Sequence, residues 1–219
     1  MTPLGALRVV ALLLCGAGAA PVSVGLAQVP GRCEVPASQR TGEAGCYVSA
    51  TAPLGELPDG PLYWHLHTYP SRAAANRVSG PRATVVEAFG KIWLYAVART
   101  DWRPAGGEPV IVLLEVHPGR RYTAHYLEAV FPPGMRTTVH RHPGPEASYV
   151  VEGQECVETP DGRVVSRAGQ GAVVGDAVPM QLSNPGPGIR RAVALILHDT
   201  ERHWSVPAPD WTPRGLCVP

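Results

Sequence analysis

The chain has 219 residues, of which 45% are hydrophobic and 17% are charged, and its formal net charge is +1. This length and composition suit one sizeable core and favour a single elaborated domain over two full domains. All but one of the 19 basic residues are arginines dispersed along the chain, which excludes the basic run of a nucleic-acid-binding protein.

Residues 1 to 27 are interpreted as a secretory signal peptide. Arg8 is the only charge in this segment, and it is followed by an apolar run over Val9–Leu14 and then by small residues. Cleavage is expected after Ala27 or earlier, near Ala20. The sequence therefore predicts a secreted or periplasmic protein without a stable membrane span after signal removal.

Two competing interpretations of this segment stay open. A lipoprotein anchor would use Cys15, although the bulky Leu14 before it suits such a cleavage site poorly. An uncleaved membrane anchor is the other, although the apolar run is short for crossing a bilayer.

The remaining four cysteines predict two disulfide bonds. An even number of cysteines in an exported chain is compatible with three pairings. We favour Cys33–Cys46 and Cys156–Cys217, of which the second would hold the C-terminal tail against the preceding strands. Buried free thiols are the alternative, and the lack of a CxxC spacing argues against a thiol-redox or zinc-ribbon role.

The first half of the chain predicts an N-terminal arm, strands and one short helix. Alternating aromatic and apolar segments predict the strands, and Ser71 before three alanines predicts the helix. The predicted arm covers residues 28–60 and includes a strand at 46–50; further strands cover 61–69, 84–89, 92–98 and 110–116, and the helix covers 71–77.

The second half predicts a denser series of short strands. These cover residues 122–131, 137–142, 147–152, 154–159, 163–167, 171–174, 180–183 and 191–198. Turn sequences such as Pro132-Pro133-Gly134 and Pro160-Asp161-Gly162 separate them. With 24 glycines and 24 prolines in the chain, this spacing predicts an antiparallel sandwich or small barrel, with the tail from 201 to 219 on its outside.

Three side chains in this half predict a metal site. His140 and His142 are two residues apart, so a strand would point both to the same face. Pro143-Gly144-Pro145 predicts a tight turn, after which Glu146 opens the next strand. Two imidazoles and one carboxylate suit a divalent first-row metal and leave coordination positions for water, substrate or dioxygen.

The spacing of five residues resembles the first signature motif of the cupin superfamily. Gly134, His140, His142, Glu146 and Gly153 match every fixed position of that motif. The resemblance implies an all-β fold, a double-stranded β-helix or jelly-roll barrel whose core covers residues 122–200. The strands and helix of residues 61–121 are then expected to extend the barrel sheets.

The second cupin motif is degenerate in this chain. Met180 stands where metal-binding cupins usually have a fourth ligand, a histidine, and a thioether suits copper(I) better than iron, manganese or nickel. We therefore expect Met180 to be an apolar pocket wall, with Gln181 facing outward. Arg136, Tyr149 and His198 are further pocket-lining candidates.

The resemblance implies a small-molecule ligand and a divalent iron, manganese, nickel, zinc or copper ion. One hypothesis is a small-molecule oxygenase or isomerase, and the alternative is a non-catalytic metal- or ligand-binding cupin. A homodimer is expected by analogy only. His65 and His67 have the same spacing as the proposed ligands, but no glutamate follows at the matching distance, and we expect them on a sheet surface.

Overall fold

The computed structural model describes residues 28–29, 33–102, 104, 110–114 and 116–218, so the predicted signal peptide lies outside the described residues. The strands are β1 (Gln28–Val29), β2 (Gly45–Glu56), β3 (Leu62–Tyr69), β4 (Ala83–Ala88), β5 (Lys91–Ala98), β6 (Val110–Leu114), β7 (Arg121–Phe131), β8 (Arg136–Thr137), β9 (His140–Arg141), β10 (Glu146–Glu152), β11 (Gln154–Thr159), β12 (Gly162–Arg167), β13 (Gly171–Val174), β14 (Gln181–Ser183), β15 (Arg190–Asp199) and β16 (Val206–Pro207). The helix is α1 (Arg72–Val78), capped by the Ser71 side chain. Within the described part, no helix combines the length and hydropathy needed to cross a membrane.

Two five-stranded sheets form the barrel, which confirms the predicted all-β jelly-roll fold. The first barrel sheet has the order β13-β10-β15-β7-β2, and the second has the order β1-β8-β14-β11-β12. The centre of the first sheet is a long antiparallel ladder between β7 and β15, which runs from the pair Phe131–Arg190 to the pair Tyr122–Asp199. This ladder forms one continuous wall of the barrel interior.

The strands predicted between residues 61 and 116 do not extend the barrel sheets as expected. Strands β4-β5-β3-β6 instead form a separate four-stranded sheet, the outer sheet. Its apolar residues pack on the outward-facing side chains of β7, β10 and β15, among them Tyr126, Ala147 and Leu195. The reason is that β7 and β15 are apolar on both faces, so their outward face must also be covered.

Disulfide bonds fasten the segment before β2 and the C-terminal tail to the barrel. Residues 45–56, expected within the N-terminal arm, form β2 and pair with β7 along the sheet edge. Cys33–Cys46 fixes the segment before β2, and Cys156–Cys217 fixes the C-terminal tail to β11. These are the two pairings favoured from the sequence.

The strand predicted over residues 137–142 is divided into two. β8 pairs with β14 in the second barrel sheet, whereas β9 pairs with β16 from the C-terminal segment. An isolated bridge also joins His140 to Met180. Because two residues separate β8 from β9, the alternation of side chains is not continuous from one strand to the other. Thr137 consequently faces the same cleft as His140 and His142, and Arg136 does not.

Candidate metal centre

A tight turn brings Glu146 onto the two histidines. The backbone carbonyls of Pro143 and Pro145 accept hydrogen bonds from the Asp199 and Leu197 amides, at 2.8 and 2.9 Å, which fastens the turn to β15. Gly144 between the prolines has φ +142°, and a Cβ there would lie 2.0 Å from the Leu197 carbonyl oxygen. Only glycine permits so close an approach of the turn to β15.

The donor atoms of His140, His142 and Glu146 lie within 4.8 Å of one another. All three residues are buried, with exposures of 5%, 1% and 6%. The His140 Nδ1–H donates to the Thr138 carbonyl at 2.8 Å, and the His142 Nδ1–H donates to the Trp204 carbonyl. Since a carbonyl can only accept, both neutral rings present an unprotonated Nε2, the form in which histidine binds metals.

A short contact in the site joins two hydrogen-bond acceptors. The His142 Nε2 lies 3.0 Å from the Glu146 Oε2, and neither atom has a hydrogen-bond partner in the described residues. Two buried lone pairs at this separation repel unless a cation, either a proton or a metal ion, lies between them. The arrangement therefore fits a cation-binding site.

The pKa shifts favour a negative Glu146 carboxylate and a neutral His140 ring. Burial, which would raise the pKa of Glu146, is outweighed by its contact with His142 and by electrostatic interactions with both histidines and Arg190, so that this pKa is lowered. Burial also lowers the pKa of His140, aided by His142. Both shifts favour the protonation states in which the side chains bind metals.

The three side chains lie in a cleft of about 420 Å³, part of which is open to solvent. Apolar residues of the two barrel sheets form most of its wall: Leu127, Ala129, Phe131, Leu182, Ala194 and Ile196. Trp204, Arg190 and the Cys33–Cys46 disulfide also line it. Apolar walls around a few converging polar groups are the composition of a small-molecule site.

The cleft contains one buried cation from the chain itself. Arg190 is 1% exposed, and its guanidinium lies 4.7 Å from the centre of the Phe131 ring. Its Nη2 pairs with the Glu155 carboxylate, which also accepts a hydrogen bond from the Ser148 hydroxyl. Gly153, the last glycine of the motif, permits this packing, because a Cβ there would lie 2.4 Å from the Ile189 carbonyl oxygen.

Two of the sequence-based candidates lie beside the cleft rather than in its lining. Met180 is 1% exposed and packs in an apolar cluster with Val157 and Leu182, near Glu146. His198 stacks on His125, with ring centres 4.9 Å apart, and donates its Nδ1–H to the Asp199 carbonyl at 2.8 Å. Neither belongs to the group of three donors.

The other two candidates are corrected by the structure. Arg136 lines a different cleft, on the outside of the barrel and beneath the C-terminal tail, together with Gln181. Tyr149 packs against Trp93 in the layer between the barrel and the outer sheet. Since side chains alternate along β10, Tyr149 must face away from Glu146, three residues before it.

Arg190, Trp204 and the Cys33–Cys46 disulfide were not predicted as parts of the site. One signal for Arg190 was present, because alternation along β15 puts it on the same face as Ala194 and Ile196. No local pattern indicates that the Trp204 carbonyl would orient His142, 62 residues away in sequence.

Comparison with known proteins gives structural neighbours only. No protein-family model matches the chain, and no curated protein does so either. A cupin domain from Bordetella pertussis Tohama I is 25% identical, with a TM-score of 0.30, over 38% of this chain and 88% of that one. A cupin-like protein from Thermotoga maritima MSB8 is 17% identical, with a TM-score of 0.35, over 41% and 65%.

A recombinant oxalate oxidase in complex with glycolate is 20% identical, with a TM-score of 0.33, over 39% of this chain and 45% of that one. TM-scores of this size assign no activity. The signature at residues 134–153 lies on adjoining strands of a two-sheet antiparallel barrel, and its two histidines and glutamate meet in the interior. The motif and this barrel agree with the resemblance to the cupin superfamily seen in the sequence.

Proposed function

We propose that the chain binds one divalent first-row transition metal through His140 Nε2, His142 Nε2 and the Glu146 carboxylate, and acts there on a small organic molecule. The observation that carries the proposal is the 3.0 Å approach of two buried acceptors, His142 Nε2 and Glu146 Oε2. The donor set suits iron, manganese, nickel, zinc or copper(II).

A metal held there would supply Lewis acidity and coordination positions for dioxygen or for the small molecule. The chain's own contribution is to orient the ligands, through the Thr138 and Trp204 carbonyls, and to exclude water with apolar cleft walls. Oxygenation or isomerisation of a small molecule is the reaction class that we infer for such a site.

One observation favours a non-catalytic alternative. Among the described residues that line the cleft, the three proposed ligands and Arg190 are the only ones with ionisable side chains. Arginine is a poor general base. Without an additional acid or base, the same site would serve to bind or store a metal or small ligand.

The proposal extends to the location of the protein. Two disulfide bonds suit an oxidising compartment, and this agrees with the predicted signal peptide. A homodimer through barrel-edge strands stays a prediction.

The test is elemental analysis of the mature protein beside a His140→Ala/His142→Ala variant. We expect about one ion per chain in the wild type and none in the variant. His117→Ala, which removes an exposed histidine, is the control and should retain the metal. Equal metal in all three proteins would contradict the proposed site. If metal is bound, incubation with phenolic, thiol and keto-acid substrates, followed by oxygen consumption and product analysis, separates the two functions, since absence of both oxygen uptake and product favours binding.

A further inference from the structure

The buried Arg190 is not used by the proposed metal site. Its Nη2 pairs with Glu155, but its Nε and Nη1 have no hydrogen-bond partner in the described residues. The side chain is 1% exposed and lines the same cleft as the three proposed ligands. A buried donor without an acceptor costs about 1–3 kcal/mol, and more when it is charged, so a ligand that supplies the acceptor would be bound favourably.

The charges around the cleft indicate the sign of that ligand. Arg190 carries one positive charge, whereas Glu146 and Glu155 carry one negative charge each, which leaves an excess of one negative charge. A divalent ion at the proposed metal site changes this to an excess of one positive charge. Since unbalanced buried charge is strongly unfavourable, the metal-loaded cleft favours a monoanion.

Arg190 keeps its charge at neutral pH. Burial lowers the pKa of its guanidinium to about 10, partly offset by the negative charge of Glu146. The Phe131 ring covers one face of the guanidinium at 4.7 Å. The group is thus held rigidly, as a site for a planar acceptor such as a carboxylate requires.

The remaining wall indicates the body of the ligand. Leu127, Ala194 and Ile196 contribute apolar surface beside Arg190, and Trp204 adds an aromatic face. Among the described lining residues, no second cation is present to match a dianion. The wall therefore suits a compact apolar group attached to a single negative charge.

We propose that the cleft binds a small apolar monocarboxylate whose carboxylate accepts a hydrogen bond from Nη1 of Arg190. This deepens the proposed function and rests on it for the positive charge of the loaded site. The hydrogen bond to Arg190 does not itself require the metal, so the two proposals can fail separately.

The test uses isothermal titration calorimetry with benzoate and with benzamide, which has the same shape but no charge. We expect zinc-loaded protein to bind benzoate at least 10-fold more tightly than benzamide, about 1.4 kcal/mol. In an Arg190→Met/Glu155→Leu variant, which removes both partners of the buried pair, the preference should fall at least 10-fold. Arg136→Met, in the outer cleft, is the matched control and should keep it. Equal binding of the two probes by the wild type, or an unchanged preference in the double variant, would overturn the inference.

Two further variants complete the test. If the double variant does not fold by circular dichroism, Arg190→Lys replaces it, because it keeps the charge beside Glu155 but not the planar donor. It should bind benzoate at least 3-fold more weakly than the wild type, and unchanged binding would overturn the inference.

Metal-free Glu146→Gln protein separates the two proposals. It lacks the negative charge that would repel benzoate, so it should prefer benzoate to benzamide through Arg190 alone. If the wild type does not take up zinc but this variant prefers benzoate, the metal proposal fails and the carboxylate site stands. If zinc is taken up but neither protein prefers benzoate, the carboxylate site fails and the metal proposal stands.

Discussion

Two histidine pairs with the same spacing lie in different surroundings in this molecule. His65 and His67 are in β3 of the outer sheet, with nearly parallel rings whose centres are 6.1 Å apart and with Trp102 packed edge-on against both. His140 and His142 are in and next to β9, with rings inclined at 77° and centres 4.9 Å apart. Within the described residues, the group of donors able to hold one ion includes the second pair and not the first.

Residue spacing determines which face of a strand carries the two histidines, whereas contacts with the backbone decide which ring nitrogen is free to bind a metal. In the outer pair, the His65 Nε2 donates to the Arg99 carbonyl at 2.9 Å. In the inner pair, both Nδ1–H groups donate to main-chain carbonyls, so both Nε2 atoms are unprotonated, and the His142 Nε2 lies 3.0 Å from the Glu146 Oε2. The same two-residue spacing thus produces a structural pair in one sheet and a candidate ligand pair in the other.

The largest expected effect comes from breaking the turn that brings Glu146 to the inner pair. Gly144→Ala should destabilise the protein by about 3 kcal/mol or more, because the new Cβ meets the backbone of β15 at 2.0 Å in a strained conformation. Urea denaturation measures the loss. Gly162→Ala is the matched control, since Gly162 has nearly the same φ, +143°, with nothing within 4 Å of the added Cβ. Equal losses in the two variants would show that contact with β15 is unimportant.

Removal of the Glu146 carboxylate should leave the inner pair, like the outer pair, without the negative charge that balances a bound ion. We expect Glu146→Gln to weaken zinc binding about 100-fold or more, because a neutral amide no longer balances the charge of the ion. Competition with a chromophoric chelator measures the affinity. Glu152→Gln, in the same strand but exposed and paired with Arg191 at the surface, should leave the affinity unchanged. An equal affinity in both variants would remove Glu146 from the ligand set.

Replacement of the outer pair should lower the stability of the protein without changing its metal content. His65→Leu/His67→Leu should leave zinc stoichiometry unchanged and lower the free energy of unfolding by about 1–2 kcal/mol, because His65 loses its hydrogen bonds to main-chain carbonyls. Metal analysis and urea denaturation of the same preparation test both parts. Loss of zinc from this variant would reverse the assignment of the two pairs.

Local signals were enough to predict that these three donor side chains converge. Alternation along a strand and a proline-glycine turn bring His140, His142 and Glu146 together without information from distant segments. The pocket lining was less predictable, because Arg136 was expected to line the pocket from its position just before the strand predicted over residues 137–142. The two residues between β8 and β9 reverse the alternation, so that Thr137 faces the cleft and Arg136 the outside.

The burial of the outer pair could not be predicted without the tertiary structure. His65 and His67 were expected on a sheet surface, but they are 0% and 1% exposed. A turn after β5 carries Trp102 over this face of the outer sheet, and no periodicity in β3 indicates that cover. The outer sheet itself was predictable strand by strand, yet its packing on the barrel depends on the double-sided apolar pattern of β7 and β15.

A third histidine environment gives the smallest expected effect. His125 faces His198 and Trp204, accepts or donates one hydrogen bond with the Thr51 hydroxyl at 3.1 Å, and is half-buried. Burial, followed by the positive charges of His198, His142 and His203, lowers the pKa of His125 from 6.5 to about 4. Between these two pH values the unfolded chain binds a proton that the folded chain does not. The contribution of the neutral His125 ring to the free energy of unfolding is therefore fully present above pH 6.5 and is lost as the pH is lowered toward 4.

Solvent screening of a half-buried ring reduces the effect of His125 to about 1 kcal/mol. We therefore expect the unfolding free energy of metal-free wild type to fall by about that much more between pH 7 and pH 4 than that of a His125→Phe variant, which keeps an aromatic ring against Trp204 but cannot titrate. Urea denaturation at several pH values measures both slopes. Because His140 and His198 also have lowered pKa values, both proteins should lose stability on acidification, and only the difference reports His125. Parallel curves would mean that the ring is protonated as readily in the folded protein as in the unfolded chain.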